Sequence, residues 1–193
     1  MDQSIAFVEE AETHIVAREA LLDRTMGPIR FRRSSERLRE GRLPAPGLAL
    51  SVMAGSKLVG TVRLWNVRAC GLGAGLMLGP LAVDEAWRGA GIAAGLVEMA
   101  LKSAQADSYD AVILVGDAPY YGRFGFSAHT ARRLAMPGPF ERHRMLGLAL
   151  KPGALERAHG TLRPSGAPAL PIAAPANQPR FAFEAEQRAI NGN

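Results

Sequence analysis

The chain has 193 residues, 48% apolar and 21% charged, enough for one buried core but not two, and too apolar for wholesale disorder. Its net charge of +5 rests on 20 Arg and 3 Lys against 18 acids, a skew that alone says little about partners. The single cysteine, Cys70, excludes an internal disulfide and a thiolate-rich metal site, and the charge-free stretches 43–56 and 69–83 are too short to span a bilayer as helices.

The first ten residues are acidic, with no basic end before an apolar block, so no secretory signal is expected and the expected compartment is the cytoplasm. Residues 5–8 predict a short strand, and from Ala11 onward Ile15, Ala17, Leu21 and Leu22 recur at helical spacing. Gly27-Pro28 ends that helix. A second short helix is expected over 34–40, capped by Ser34 or Ser35, among Arg30, Arg32, Arg33, Arg37, Arg39 and Arg42. Residues 48–53 and 57–67 are apolar runs around Ala54-Gly55-Ser56 and read as an antiparallel hairpin.

A further strand fits 76–83, reached through the glycine-rich 71–75. After Trp87 the pattern turns helical, with Ile92, Leu96, Met99 and the nearby Leu101 expected on one face. Residues 110–115 form a continuous apolar strand, and 144–150 the last convincing one. Residues 152–179 hold six of the 13 prolines, which weakens any regular element. The expected organisation is therefore a domain over 1–155 and a Pro/Ala-rich extension over 156–193, with Phe181 and Phe183 as its natural anchors.

The informative stretch is LGPLAVDEAWRGAGIAA, residues 78–94, where a strand enters a helix through Arg88-Gly89-Ala90-Gly91-Ile92-Ala93. Glycines there remove side chains where the chain turns, and the first amides of a helix have no partner within it. Such donors, the positive end of the helix dipole and Arg88 together make an anion site suited to a pyrophosphate. Two other readings compete: glycines that merely allow close packing, and a dinucleotide fold, since Gly89, Gly91 and Ala94 satisfy G-x-G-x-x-A with Asp117 ending the next strand. Against the dinucleotide fold, the motif lies behind antiparallel hairpins and one strand-helix-strand unit is visible instead of two.

At these residues the chain resembles the GNAT superfamily of acetyl-CoA-dependent N-acetyltransferases. Arg88, Gly91 and Ala93 meet the signature Q/R-x-x-G-x-G/A, preceded by L-x-V at Leu81 and Val83, and Tyr121-Gly122-Arg123-Phe124-Gly125-Phe126 fits Y-x-x-x-G-F. The likeness is nearest to predicted acetyltransferases carrying G-D-x-x-Y-Y-x-R-F-G-F. It implies an α/β fold with a mixed, mostly antiparallel sheet flanked by helices and splayed between its fourth and fifth strands. It implies that main-chain groups of Leu81, Ala82 and Val83 pair with the pantetheine arm of acetyl-CoA, that amides of Gly89, Ala90, Gly91, Ile92 and Ala93 hold the pyrophosphate, and that Tyr121 meets the departing sulfur, with Tyr120 as competitor. The implied reaction passes the acetyl group directly to a primary amine of a small molecule or peptide. A non-catalytic acyl-CoA-binding sensor on the same fold is the alternative.

A tyrosine near pKa 10 is about 1.5 units weaker as an acid than a thiol near 8.5, so Tyr121 is expected to act first through a hydrogen bond. The amine needs a base, for which Asp84 and Glu85 are candidates if they are not simply solvated. The family's usual Asn ahead of its tyrosine is missing, since Asp117-Ala118-Pro119 leaves room for only a short helix. The arginines of 30–42 are either a solvated face or the lining of the acceptor site, favouring an anionic substrate; with only Phe31 among them they argue against nucleic acid. Residues 136–144 read as a mobile loop able to cover that site. The four histidines lack metal-ligand spacing, so no metal is expected. No membrane partner is expected either, and a homodimer is left open.

Overall fold

Alternation of buried side chains along the central strands sets the architecture of the computed structural model, which describes residues 4–169. In β4 (Gly75–Val83), Leu76 and Leu78 join one apolar cluster and Met77 the opposite one. In β5 (Ala111–Val115), Val112 and Leu114 follow the first cluster, Ala111 and Ile113 the second. Strands apolar on both faces need cover on both. One face packs on α2 (Ile92–Ala106) through Ile92, Leu96, Val97, Ala100 and Ala104. The other is covered partly by α1 (Ile15–Met26), whose Leu21 and Leu22 sit on Leu58 and Ala82.

The sheet runs β1 (Ile5–Glu9), β2 (Ala49–Ala54), β3 (Lys57–Cys70), β4, β5, β7 (Met145–Ala149). Neighbours are antiparallel except β4 and β5, whose parallel pairing requires the crossover that α2 supplies. This is the expected mixed, mostly antiparallel α/β arrangement. The β4–β5 pairing covers only Gly75↔Ala111, Leu76↔Val112 and Met77↔Ile113; beyond it β4 stays on β3 and β5 on β7. The two strands diverge as the arms of a V.

Both ends of the V are pinned. At the closed end, the Asp110 carboxylate accepts from the Ala74 amide at 2.7 Å and from Lys151 Nζ at 2.6 Å. A Cβ on Gly73 would lie 2.0 Å from Asp110 Oδ2, which explains a glycine in that turn. On the β4 arm, Val62 faces Leu81 but Leu64 faces Leu78, so β4 carries one extra residue. Such a bulge bends a strand. Trp65 Nε1 donates to the Gly79 carbonyl at 2.6 Å and fixes its position.

Three expectations need correction. The helix over 34–40 is a single 3-10 turn, Glu36–Leu38, with no side-chain cap from Ser35; buried Leu38 is its one apolar anchor, too little to offset the cost of nucleating a helix. Met99 is 38% exposed, because the buried stripe of α2 turns through Val97 and Ala100 instead. Residues 159–164, expected to lack regular structure, form β8 (His159–Pro164), which pairs antiparallel with the end of β3 and parallel with β6 (Leu134–Ala135). One well-placed leucine suffices there: Leu162 is fully buried with Trp65, Val67 and Leu134. Phe181 and Phe183 lie outside the described residues.

Leu162→Ala therefore lowers unfolding free energy by about 2–5 kcal/mol, as for other buried leucines. Chemical denaturation checks this; an unchanged midpoint would return the segment to a dispensable tail.

Candidate active site

Between the arms of the V lies a cavity of about 470 Å³. Leu78, Gly79, Pro80 and Leu81 line its β4 side, and Leu114, Val115, Gly116, Asp117 and Tyr121 its β5 side. Residues from 26–39 and 139–144 close the remaining walls, so the loop expected over 136–144 contributes Pro139, Phe140, Glu141 and Arg144. The motifs assign no role to Gly79 or Pro80; Gly116 opens G-D-x-x-Y-Y-x-R-F-G-F, and Phe140 belongs to the loop expected to cover the site.

Tyr121 reaches the cavity because Asp117 starts α3 (Ala118–Gly122) directly after β5, its carboxylate accepting the Tyr120 amide at 3.1 Å. Burial, reinforced by neighbouring Tyr120, pushes the Tyr121 phenol up to about 12. The ring is wedged: a Cβ on Gly116 would fall 2.3 Å from Tyr121 Cε2, and Phe126 meets the ring edge-on at 5.9 Å. Tyr120 does not line the cavity; its ring lies 3.9 Å beneath the Arg123 guanidinium.

Past Leu81, β4 leaves the cavity through Ala82 and Val83 and, after a 3-10 turn over Glu85–Trp87, delivers the chain to the glycine loop. Gly89 and Gly91 have φ of 84° and 77°, where a side chain is strained. Gly91 caps α2, whose first bond is Gly95 N–H to the Gly91 carbonyl at 2.9 Å. Among the described residues the amides of Gly89, Gly91, Ile92, Ala93 and Ala94 meet no backbone acceptor. Ala90 departs from expectation, since its amide is spent on the Trp87 carbonyl at 3.3 Å. Arg88 stands at the mouth of the loop, exposed and 3.3 Å from Glu85. These free donors fit a diphosphate, and the unpaired inner edge of β4 fits an amide-bearing arm.

Asp84 and Glu85 are not placed to act as a base. Asp84 accepts from Lys57 at 2.9 Å and from the Ala86 amide at 3.1 Å, and these bonds, Lys57 foremost, hold its carboxyl below the usual range. Glu85 points to solvent, and neither lines the cavity. Its carboxylates are Asp117 and Glu141. Among the described residues no cluster of three or more His, Cys, Asp or Glu could hold a metal, and no helix is long and apolar enough to cross a membrane.

Residues 48–128 match the family model described as an acetyltransferase (GNAT) domain. An uncharacterized N-acetyltransferase, YhbS of Escherichia coli K12, is 44% identical over 78 residues, 38% of this chain and 47% of its own length, so the chain spans about half the length of the curated relatives it matches. The crystal structure of Escherichia coli YhbS in complex with CoA superposes with a TM-score of 0.71 at 27% identity, over 86% of this chain and 92% of that one. A GNAT family acetyltransferase from Brucella melitensis, in complex with acetyl-CoA, shares the fold at a TM-score of 0.55 and 19% identity, over 86% and 97% of the two chains.

Gly116→Ala forces the Tyr121 ring out of its wedge, so its phenol titrates nearer to 10 than to 12. Ultraviolet pH titration, differenced against Tyr121→Phe, reads the shift; an unmoved midpoint would mean that the wedge does not position the ring.

Proposed function

The chain belongs to the GNAT superfamily, and we propose that it moves the acetyl group of acetyl-CoA directly to a primary amine. One observation carries this reading: a single strand, β4, has a free edge that leads from a cavity holding a tyrosine to a loop of five unspent amides. Support comes also from the CoA and acetyl-CoA that the two structural relatives hold.

Bound acetyl-CoA supplies the acetyl group as an activated thioester. The amides of Gly89, Gly91, Ile92, Ala93 and Ala94, with Arg88, hold the pyrophosphate; hydrogen bonds to a charged acceptor are worth about 1.5–3 kcal/mol each. Main-chain groups of Leu81, Ala82 and Val83 align the pantetheine arm as an added strand. An amide of that edge points its N–H at the carbonyl oxygen, where negative charge grows during attack. The Tyr121 hydroxyl donates to the departing sulfur. With its phenol near 12 and a thiol near 8.5, complete proton transfer would be uphill by about 5 kcal/mol, so Tyr121 works as a neutral hydrogen-bond donor and CoA leaves as the thiolate, which is protonated at the ambient pH once it reaches bulk solvent. An amine arriving as the ammonium must shed its proton before attack, and Asp117 and Glu141, the two carboxylates on the cavity wall, relay it through water to the solvent.

Gly91→Val places a branched side chain at a φ of 77° and crowds the donors, so acetyl-CoA affinity falls below detection in calorimetry; wild-type affinity would remove this assignment. Tyr121→Phe keeps acetyl-CoA affinity and lowers turnover by about 10- to 100-fold in a thiol-release assay with a broad amine panel. Because the raised pKa keeps the phenol protonated throughout the working range, turnover of the wild type shows no descending limb below pH 10 attributable to this group. A limb near pH 9 that disappears in Tyr121→Phe would contradict the neutral-donor role. Tight acetyl-CoA binding with no amine-dependent thiol release would favour the sensor.

A further inference from the structure

The walls of the cavity away from β4 and β5 are cationic. Arg30, Arg33, Arg39 and Arg144 line it against Asp117 and Glu141. Arg33 and Arg144 reach solvent, whereas the other two are not part of a solvated face: Arg30 is buried, and the Arg39 side chain is only 9% exposed. Each of these two is held from behind. Arg30 donates through Nε to Asp23 at 2.9 Å and through Nη2 to Glu19 at 2.6 Å, and Arg39 through Nη2 to Glu36 at 2.6 Å. None of these three carboxylates lines the cavity; Glu19 and Glu36 open instead onto a second cavity of about 140 Å³, which Arg30 and Arg39 also border. Carboxylates thus fix the guanidiniums, while among the described residues Arg30 Nη1 and the Nε and Nη1 of Arg39 make no hydrogen bond.

Arg33 pairs with no carboxylate among the described residues, beside Ser34 and Ser35 on the same wall. Opposite, Arg144 has Glu141 no nearer than 3.6 Å. The crowding is felt: burial, with Arg30 and Arg33 nearby, holds the Arg39 guanidinium below its ordinary range despite Glu36. Four guanidiniums would repel an alkylammonium that brings no negative charge of its own. They suit an acceptor whose second group is an anion, for which arginine forks provide paired N–H donors.

We propose that the amine acceptor carries a carboxylate or phosphate, gripped by Arg33 with Arg30 and Arg39 on one side and Arg144 on the other. This rests on the acetyltransferase reading in that it makes the cavity the acceptor site. The anion enters between the two arginine walls, and its amine end projects toward the splay and Tyr121.

The test is calorimetric titration of matched amines, 4-aminobutyrate against butylamine and phosphoethanolamine against ethanolamine, into the protein with and without saturating CoA. At least one anionic member is expected to bind about tenfold or more tightly than its uncharged-tail partner, and Arg33→Gln to cut that preference severalfold. Arg33 is exposed, so its replacement leaves the fold intact. Equal binding within both pairs, no binding of either anionic member, or a preference indifferent to Arg33→Gln would overturn the proposal. Failure of CoA itself to bind would count against the acetyltransferase reading alone, because the amine pairs are compared in its absence as well.

Discussion

Three residue pairs hold β4 to β5, and after Met77 and Ile113 the two strands part. In a sheet this is costly, because backbone N–H and C=O groups facing a cleft lose their strand partner, and such groups cost about 1–3 kcal/mol each when buried without one. The arrangement persists because its surroundings fix it: Asp110 clamps the closed end, Trp65 holds the bulge, and α2 bridges the two strands. The resulting edge has the hydrogen-bonding pattern of a missing strand. Under the function proposed here, the pantetheine arm is that strand, and the glycine loop, reached after Asp84 and the turn over Glu85–Trp87, anchors its far end.

The acceptor wall depends on a second constraint, a chain of ion pairs that pins α1 and the segment after it across β4. Glu10, 5% exposed at its side chain, accepts from Arg18 and from Arg63. Arg18 in turn meets Glu19, and Glu19 meets Arg30. Removing one member of so buried a set leaves a charge uncompensated, which is far more damaging than the pair itself is stabilising. The chain runs from the edge of the sheet to the cavity, so the position of Arg30 is set by acids on α1, themselves tied to Glu10 after β1, while Arg39 is held locally by Glu36.

This division explains what could be read from the residues alone. The hairpin around Gly55, the strand into the glycine loop and the phenol at 121 were legible because each depends on near neighbours: turn glycines, period-two alternation, a helix start. Other features depend on distant partners. β8 is held by Leu162 reaching the core from a proline-rich segment, which no local pattern announces. Asp84 reads as a free acid until Lys57, on the hairpin, is seen to occupy it. The arginines of 30–42 scatter in sequence but divide in space: Arg30, Arg33 and Arg39 face the cavity, while Arg37 donates to the Pro137 carbonyl and Arg42 to that of Gly166. Ala90 looks like its neighbours in the loop, and only the turn geometry reveals that its amide is already used.

The most direct measurement is a crystal structure of the protein with acetyl-CoA. The account predicts the diphosphate on the amides around Gly91, the pantetheine lying along β4 from Val83 to Leu81, and the thioester sulfur within hydrogen-bond reach of the Tyr121 hydroxyl. A cofactor bound outside the cleft between β4 and β5, or a cleft closed by the protein's own strands, would contradict it.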